Sequence, residues 1–262
     1  MRIRTLIEKE FIDIARNRSA LVPVVLVTAM SLVLPFGIAI AVPAVTGRGL
    51  GHDADLVKVS AAVAQYDLSS DASVQLFLFQ QFLMLFLLTP ITGAMALASH
   101  AIVGEKLART LEPLLATPVT TFELLTAKVV GALAPTLAIS LVGLALYAGG
   151  ILLFAEPGVA AAMASTRTLI LIVLVAPGAA LVSLQAAILI SSRVNDARTA
   201  QQFGVLIIIP LTGVLVAQFT GSFWLSATAL GLAGLGLLVL WVLLAALSVA
   251  VFERESILTR WR

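Results

Sequence analysis

Polar and apolar positions along the chain alternate on a long scale, with long stretches free of charge separated by short charged clusters. Residues 19–47, 72–104, 129–155, 168–192 and 199–252 contain no Asp, Glu, Lys or Arg. A helix needs about 20 apolar residues to cross the hydrocarbon core of a bilayer, so each of the first four runs fits one crossing. The fifth run is too long for one helix and carries Gly221-Ser222 near its middle, so it divides into two. The pattern predicts six spans, at Ala20–Val45, Val74–Val103, Leu124–Phe154, Leu169–Ile190, Phe203–Phe219 and Leu225–Phe252. A transmembrane β-barrel would instead show short segments of alternating polarity. The expected fold is an all-α integral membrane protein forming one transmembrane domain over residues 1–262.

Before the first run, Ile7, Phe11 and Ile14 recur at helical spacing, with Glu8, Lys9, Asp13 and Arg16 on the other face. That spacing predicts an amphipathic helix over residues 1–19, lying in the cytoplasmic headgroup region. Thr5 and Glu8 have the spacing of a capping box at its start. Two roles stand open for it: a simple membrane anchor, or a surface that a cytoplasmic partner also touches. Between spans one and two, the apolar stretch Leu56–Tyr66 predicts a short helix on the outer interface. The tail 253–262 reads as a charged cytoplasmic end, with Trp261 suited to the interface.

Composition sharpens this picture. Apolar residues make up 60% of the chain and charged residues 11%, against about 25% charged in soluble domains. A water-soluble enzyme and a nucleic-acid binder are excluded on that count. Six spans put both termini on one side, and 13 of the 16 Lys and Arg residues fall there. Arg48, Lys58 and Arg167 are left for the other side, so the positive-inside bias makes the termini cytoplasmic. Cysteine is absent, which removes disulfides, iron–sulfur clusters and thiolate zinc sites. Ala39-Ile40-Ala41 resembles a signal-peptide cleavage site, but the apolar run is far longer than a signal core, so the first span is expected to be retained.

The richest segment joins spans two and three. Thr110 is placed to cap a short helix that begins Leu111-Glu112-Pro113, where proline lacks no needed N–H and Glu112 meets the positive helix end. Leu111, Leu114 and Leu115 form one apolar face, and Pro118 ends it after Thr117. Thr120 and Glu123 then form a second capping box, stapled by Val119 and Leu124, which starts span three. An ordinary tight turn is the plain alternative, but it needs neither two caps nor a three-leucine face. The loop between spans four and five carries Arg193, Asn195, Asp196 and Arg198 and reads as a polar connector with a cap for the next helix.

Catalytic groupings are absent. His52 and His100 fall on opposite sides, no G-x-x-x-x-G-K-[ST] phosphate loop and no metalloprotease helix exist, and His52, alone among the loop acids, reads as a solvated histidine rather than a metal ligand. The span interiors are expected to hold no Asp, Glu, Lys or Arg, which argues against ion coupling through a buried carboxylate. Thr89, Thr92 and Gln185 are polar positions within spans. They either line a translocation path or make interhelical hydrogen bonds.

The run Gly104-Glu105-Lys106, Arg109-Thr110-Leu111-Glu112-Pro113-Leu114-Leu115-Ala116-Thr117-Pro118-Val119, Glu123-Leu124-Leu125 and Lys128 resembles the signature loop of type-2 permeases, the membrane subunits of ATP-binding-cassette exporters. The resemblance implies that Leu111 to Thr117 form a coupling helix docked into a separate ATPase subunit, flanked by Glu105, Arg109 and Pro118. It implies a second contact from Arg193 to Gln202 and a dimer with a second copy or homologue. ATP and magnesium would be bound by the partner, with no cofactor in this chain, at a prokaryotic inner membrane. A membrane subunit that passes ATPase motion to an external partner remains as an alternative, and a secondary transporter as a more distant one.

Overall fold

The structure is a computed structural model that describes residues 2–16, 18–107, 120–193, 202, 209–210, 212–220 and 224–251. These residues are helical with no strand among them. Five helical segments are long and apolar enough to cross a membrane: Leu21–Thr46, Ser70–Ser99, Glu123–Phe154, Thr166–Ser191 and Ala227–Val249. They coincide with five of the six expected spans. The remaining one, Phe203–Phe219, is described only in part, with a helix over 212–219.

Helix α1 (Arg2–Arg16) lies chiefly against the third membrane helix. It starts three residues before Thr5, so the expected Thr5–Glu8 capping box does not form. Glu8 instead pairs with Arg4 at 2.9 Å, one turn back. Ile7 is half-buried and Phe11 is exposed; Ile14 lies in the same helix.

The first span is α2 (Arg18–Phe36), a π-helical turn at Gly37–Ala41, and α3 (Val42–Thr46). Val24, Thr28 and Ser31 form its buried face, while Val22, Val25, Leu26 and Val33 point away from the bundle. Small or weakly polar groups inward and large apolar groups outward is the arrangement expected in lipid, where close approach rather than water exclusion holds helices together. The π turn precedes Pro43, which has no N–H to offer the carbonyl of Ala39 four residues back. Gln75 of the next span donates to that carbonyl at 3.3 Å. Gly47 closes the helix in the left-handed region (φ 67°), and its N–H bonds to Pro43 O.

The following loop is tightly held. Asp53 caps α4 (Ala54–Ser60) by accepting from the N–H groups of Asp55 and Leu56, and a 3₁₀ turn continues to Tyr66. This agrees with the short helix expected at Leu56–Tyr66, but Val63 and Ser60 are buried against the bundle. Asp71 accepts from the N–H of Gly51 at 2.6 Å. A Cβ on Gly49 would sit 2.5 Å from Asp71 Oδ1, so only glycine admits this clamp.

The second span, α5 (Ser70–Phe86) and α6 (Leu88–Leu107), forms the axis of the bundle. In its apolar stretch 83% of residues are buried, against 11% in the last span. It breaks at Leu87, because Pro90 cannot donate to the carbonyl of Phe86 and the backbone tightens to a Leu87 N–H to Met84 O bond. The third span, α7 (Thr121–Phe154), begins at the expected box: Thr120 N–H donates to Glu123 Oε2 at 2.8 Å and Glu123 N–H donates to Thr120 Oγ1 at 3.1 Å. Tyr147 of α7 donates to Phe79 O at 2.7 Å within a cluster that includes Phe36 and Phe86.

After α8 (Val159–Met163), the fourth span runs through α9 (Thr166–Ile170), a π turn at Leu171–Val175, and α10 (Ala176–Arg193). Pro177 does here what Pro43 does in the first span. Helix α10 packs against α6 and against α11 (Ala227–Val251), the last membrane helix. Gly234 of α11 lies so close to Leu174 that a Cβ would come within 2.6 Å of Leu174 Cγ.

Candidate functional site

Two regions concentrate polar chemistry, one at each end of the bundle. At the end that carries α1, helix α6 finishes at Leu107 and α7 starts at Thr121. The expected coupling segment therefore bridges two adjacent antiparallel membrane helices. Arg109, Thr110, Leu111, Glu112, Leu114, Leu115, Thr117 and Pro118 lie outside the described residues, as do Asn195, Asp196 and Arg198. Glu105 and Arg193 lie in the last turns of α6 and α10. What is on view is the anchor of the segment: the Thr120–Glu123 box fixes the first turn of α7, and α1 packs against that same helix.

Of the three polar positions within the spans, two have side-chain hydrogen bonds. Thr92 Oγ1 donates within its own helix, to Leu88 O at 2.6 Å. Gln185 Nε2 donates to Ser248 Oγ at 2.6 Å, tying the fourth span to the last. Thr89 is fully buried and its hydroxyl has no partner. Thr92 Oγ1 also donates to Thr89 O at 3.2 Å, while Gln185 bonds to neither of them.

The opposite end holds a cluster that the sequence reading missed. Arg167 was expected in an external loop, and the span interiors were expected to carry no charge. Instead Arg167 lies in the first turn of the fourth span and is 8% exposed. Its Nε donates to Leu225 O at 3.0 Å, Nη1 to Gln80 Oε1 at 2.9 Å and Nη2 to Gln218 Oε1 at 3.1 Å. The guanidinium carbon sits 4.1 Å from the centroid of the Trp224 ring. Lys128 corrects the same expectation, since it is buried in the third turn of α7. The available signal was pattern within pattern: Arg167 is the only cation between Lys128 and Arg193, and Gln80 and Gln218 stand out in apolar runs.

Two cavities accompany these features. One of about 180 Å³ opens where the bends of the second and fourth spans meet, lined by Leu87, Pro90, Leu141, Leu171, Ile172 and Pro177. Prolines in membrane helices free backbone groups that neighbours must satisfy, and the bends leave space between helices. The second cavity, about 440 Å³, opens beside Arg167, lined by Asp55, Lys58, Val59, Gln218, Thr220 and Trp224.

The described residues define a multi-helix membrane protein with proline-bent spans and a firmly capped third helix. The family is explicit: a family model for ABC-2 family transporter proteins matches residues 4–254, nearly the whole chain, and the chain belongs to that family. A search among curated proteins returned no match.

Proposed function

We propose that this chain is the transmembrane permease subunit of an ATP-binding-cassette exporter, driven by a separate ATPase. The match to ABC-2 family transporter proteins across residues 4–254 carries the reading. These 262 residues hold no phosphate loop, which supports a reading in which an ATPase outside them supplies the energy. In this reading six spans cross the cell membrane with both termini in the cytoplasm. The segment Leu111–Thr117 docks as a short helix into the ATPase, with Leu111, Leu114 and Leu115 as its apolar contact and Glu112 and Arg109 as flanking charges. Arg193, Asn195, Asp196 and Arg198 make the smaller contact, and α1 flanks the interface.

The mechanical logic follows from the elements on either side. A docked segment that leads into the Thr120–Glu123 box moves α7 as a rigid body, because both partners of the box hold the first turn to the chain before it. Helix α6 is attached at the other end of the segment, and the break at Leu87 separates it from α5. ATPase closure would thus change the angle between the second and third spans around the Pro90 bend. Two such subunits pair to form the path, and substrate leaves outward between them.

The test is co-purification. The full chain, expressed with a candidate partner ATPase of the ATP-binding-cassette type, should retain that ATPase through detergent extraction. Glu112→Lys with Leu115→Asp should abolish retention while the permease still elutes as a folded species. Equal retention by wild type and variant would overturn the assigned contact.

A further inference from the structure

We propose that Arg167 is the floor of an anion-binding site, reached through the 440 Å³ cavity, that takes a carboxylate- or phosphate-bearing ligand. The site does not involve the coupling segment or a partner ATPase.

The first observation is an uncompensated charge. Arg167 is buried, and no carboxylate lies within ion-pair distance of it among the described residues. Its partners are all neutral: two glutamine oxygens, one backbone carbonyl, the sulfur of Met84 at 3.8 Å and the face of Trp224. Asp53 is committed to capping α4 and Asp71 to Gly51. Residues 221–223, which lead into Trp224, are Gly, Ser and Phe and bring no acid. A buried charge ordinarily finds a counter-charge, because desolvation costs it several kcal/mol.

The second observation is a surplus of donors at the same place. A guanidinium has five N–H groups, and the contacts above leave one hydrogen of Nη1 unspent. Gln80 accepts from Arg167 through Oε1, but its Nε2 is buried with no partner. Buried polar atoms are paired in the great majority of cases, so the orphaned Gln80 amide beside a lone cation marks a place built for an acceptor.

The third is access. Gln218 and Trp224 both touch the guanidinium and both line the cavity, so they form a thin partition between Arg167 and the cavity. At the cavity wall, Lys58 and Asp55 offset each other, leaving Arg167 as its net positive charge. An entering anion would exchange with the Gln218 oxygen on Nη2 and lift Trp224 off the guanidinium plane. Arginine favours planar, two-oxygen acceptors, hence carboxylate or phosphate rather than halide. The same chemistry is offered by an anionic lipid headgroup and by a small free acid.

The experiment uses the full chain in nanodiscs, with Trp241→Phe and Trp261→Phe leaving Trp224 as the single tryptophan. Sodium phosphate is titrated against sodium chloride of equal ionic strength in neutral phosphatidylcholine discs. A parallel series adds phosphatidylglycerol to the discs. The expected result is a saturable change in Trp224 emission and a rise in unfolding temperature. A response to phosphate identifies a free anion as sufficient, and a response to phosphatidylglycerol alone identifies a headgroup; either supports the site. Arg167→Gln should weaken the response about 10- to 100-fold. Gln218→Glu, which places a carboxylate on Nη2 from within, should abolish the response while raising the unfolding temperature, and it decides the matter should Arg167→Gln fail to fold. No response in wild type, or the same response in both variants, would show that Arg167 serves only to brace the helices.

Discussion

At the scale of single residues, a few side chains hold this bundle together by satisfying groups that helices and prolines leave over. Gln75 spans two of them, donating to Ala39 O and accepting from the N–H of Glu156 at 2.8 Å. Arg167 does the same for the second and fourth spans and the helix over 212–219. Arg167→Leu leaves the oxygens of Gln80 and Gln218 buried without a donor, at about 1–3 kcal/mol for each orphaned group. Thermal unfolding in detergent should therefore show a clear loss of stability, only partly restored by Arg167→Lys, whose ammonium cannot reproduce the fork. A wild-type unfolding temperature in Arg167→Leu would mean that these bonds do not brace the fold. Thr120→Ala should cost about 1 kcal/mol, read as faster amide exchange over residues 121–123. The Thr120–Glu123 box was legible in the sequence because a cap is a local pattern of four residues. Arg167 was not, because its partners lie 51 to 87 residues away and only the fold brings them together.

At the scale of elements, the apolar runs located five membrane helices correctly, since length and absence of charge are properties of the chain alone. Their bends were legible only as prolines. That Pro43 and Pro177 would each be preceded by a π turn, and Pro90 by a break at Leu87, depends on which neighbours are free to take up the loose carbonyls. Close packing of the first three spans depends on glycine. A Cβ on Gly143 would lie 2.9 Å from both Phe86 Cζ and Thr28 Cγ2, whereas Gly231 and Gly236 of α11 have nothing within 4 Å. Gly143→Val should destabilise by about 1–3 kcal/mol through overpacking. Gly231→Ala and Gly236→Ala should leave the unfolding temperature unchanged or slightly higher, since alanine is the better helix former. Comparable losses at all three positions would contradict the packing described here.

At the scale of the whole molecule, the proposed orientation and partner make the remaining predictions. The chain has no cysteine, so a single introduced thiol reports its own position. In intact cells Lys58→Cys should react with a membrane-impermeant maleimide, and Ser256→Cys should react only after permeabilisation; the reverse pattern would invert the topology. The family was legible from the segment between spans two and three, where capping residues, prolines and leucines follow one another closely. The cluster around Arg167, at the end of the bundle opposite α1, was not, because charge counting assigns a residue to a side but not to a depth. The central claim is that this permease is moved by a separate ATPase through Leu111–Thr117. The most direct measurement places Leu115→Cys in the cysteine-free chain and treats membrane vesicles that contain the co-expressed ATPase with a short thiol-reactive photocrosslinker. The account predicts a covalent adduct between the two polypeptides, diminished by Glu112→Lys. Failure of Leu115→Cys to crosslink to the ATPase, while a cysteine on the opposite face of the membrane does so, would contradict it.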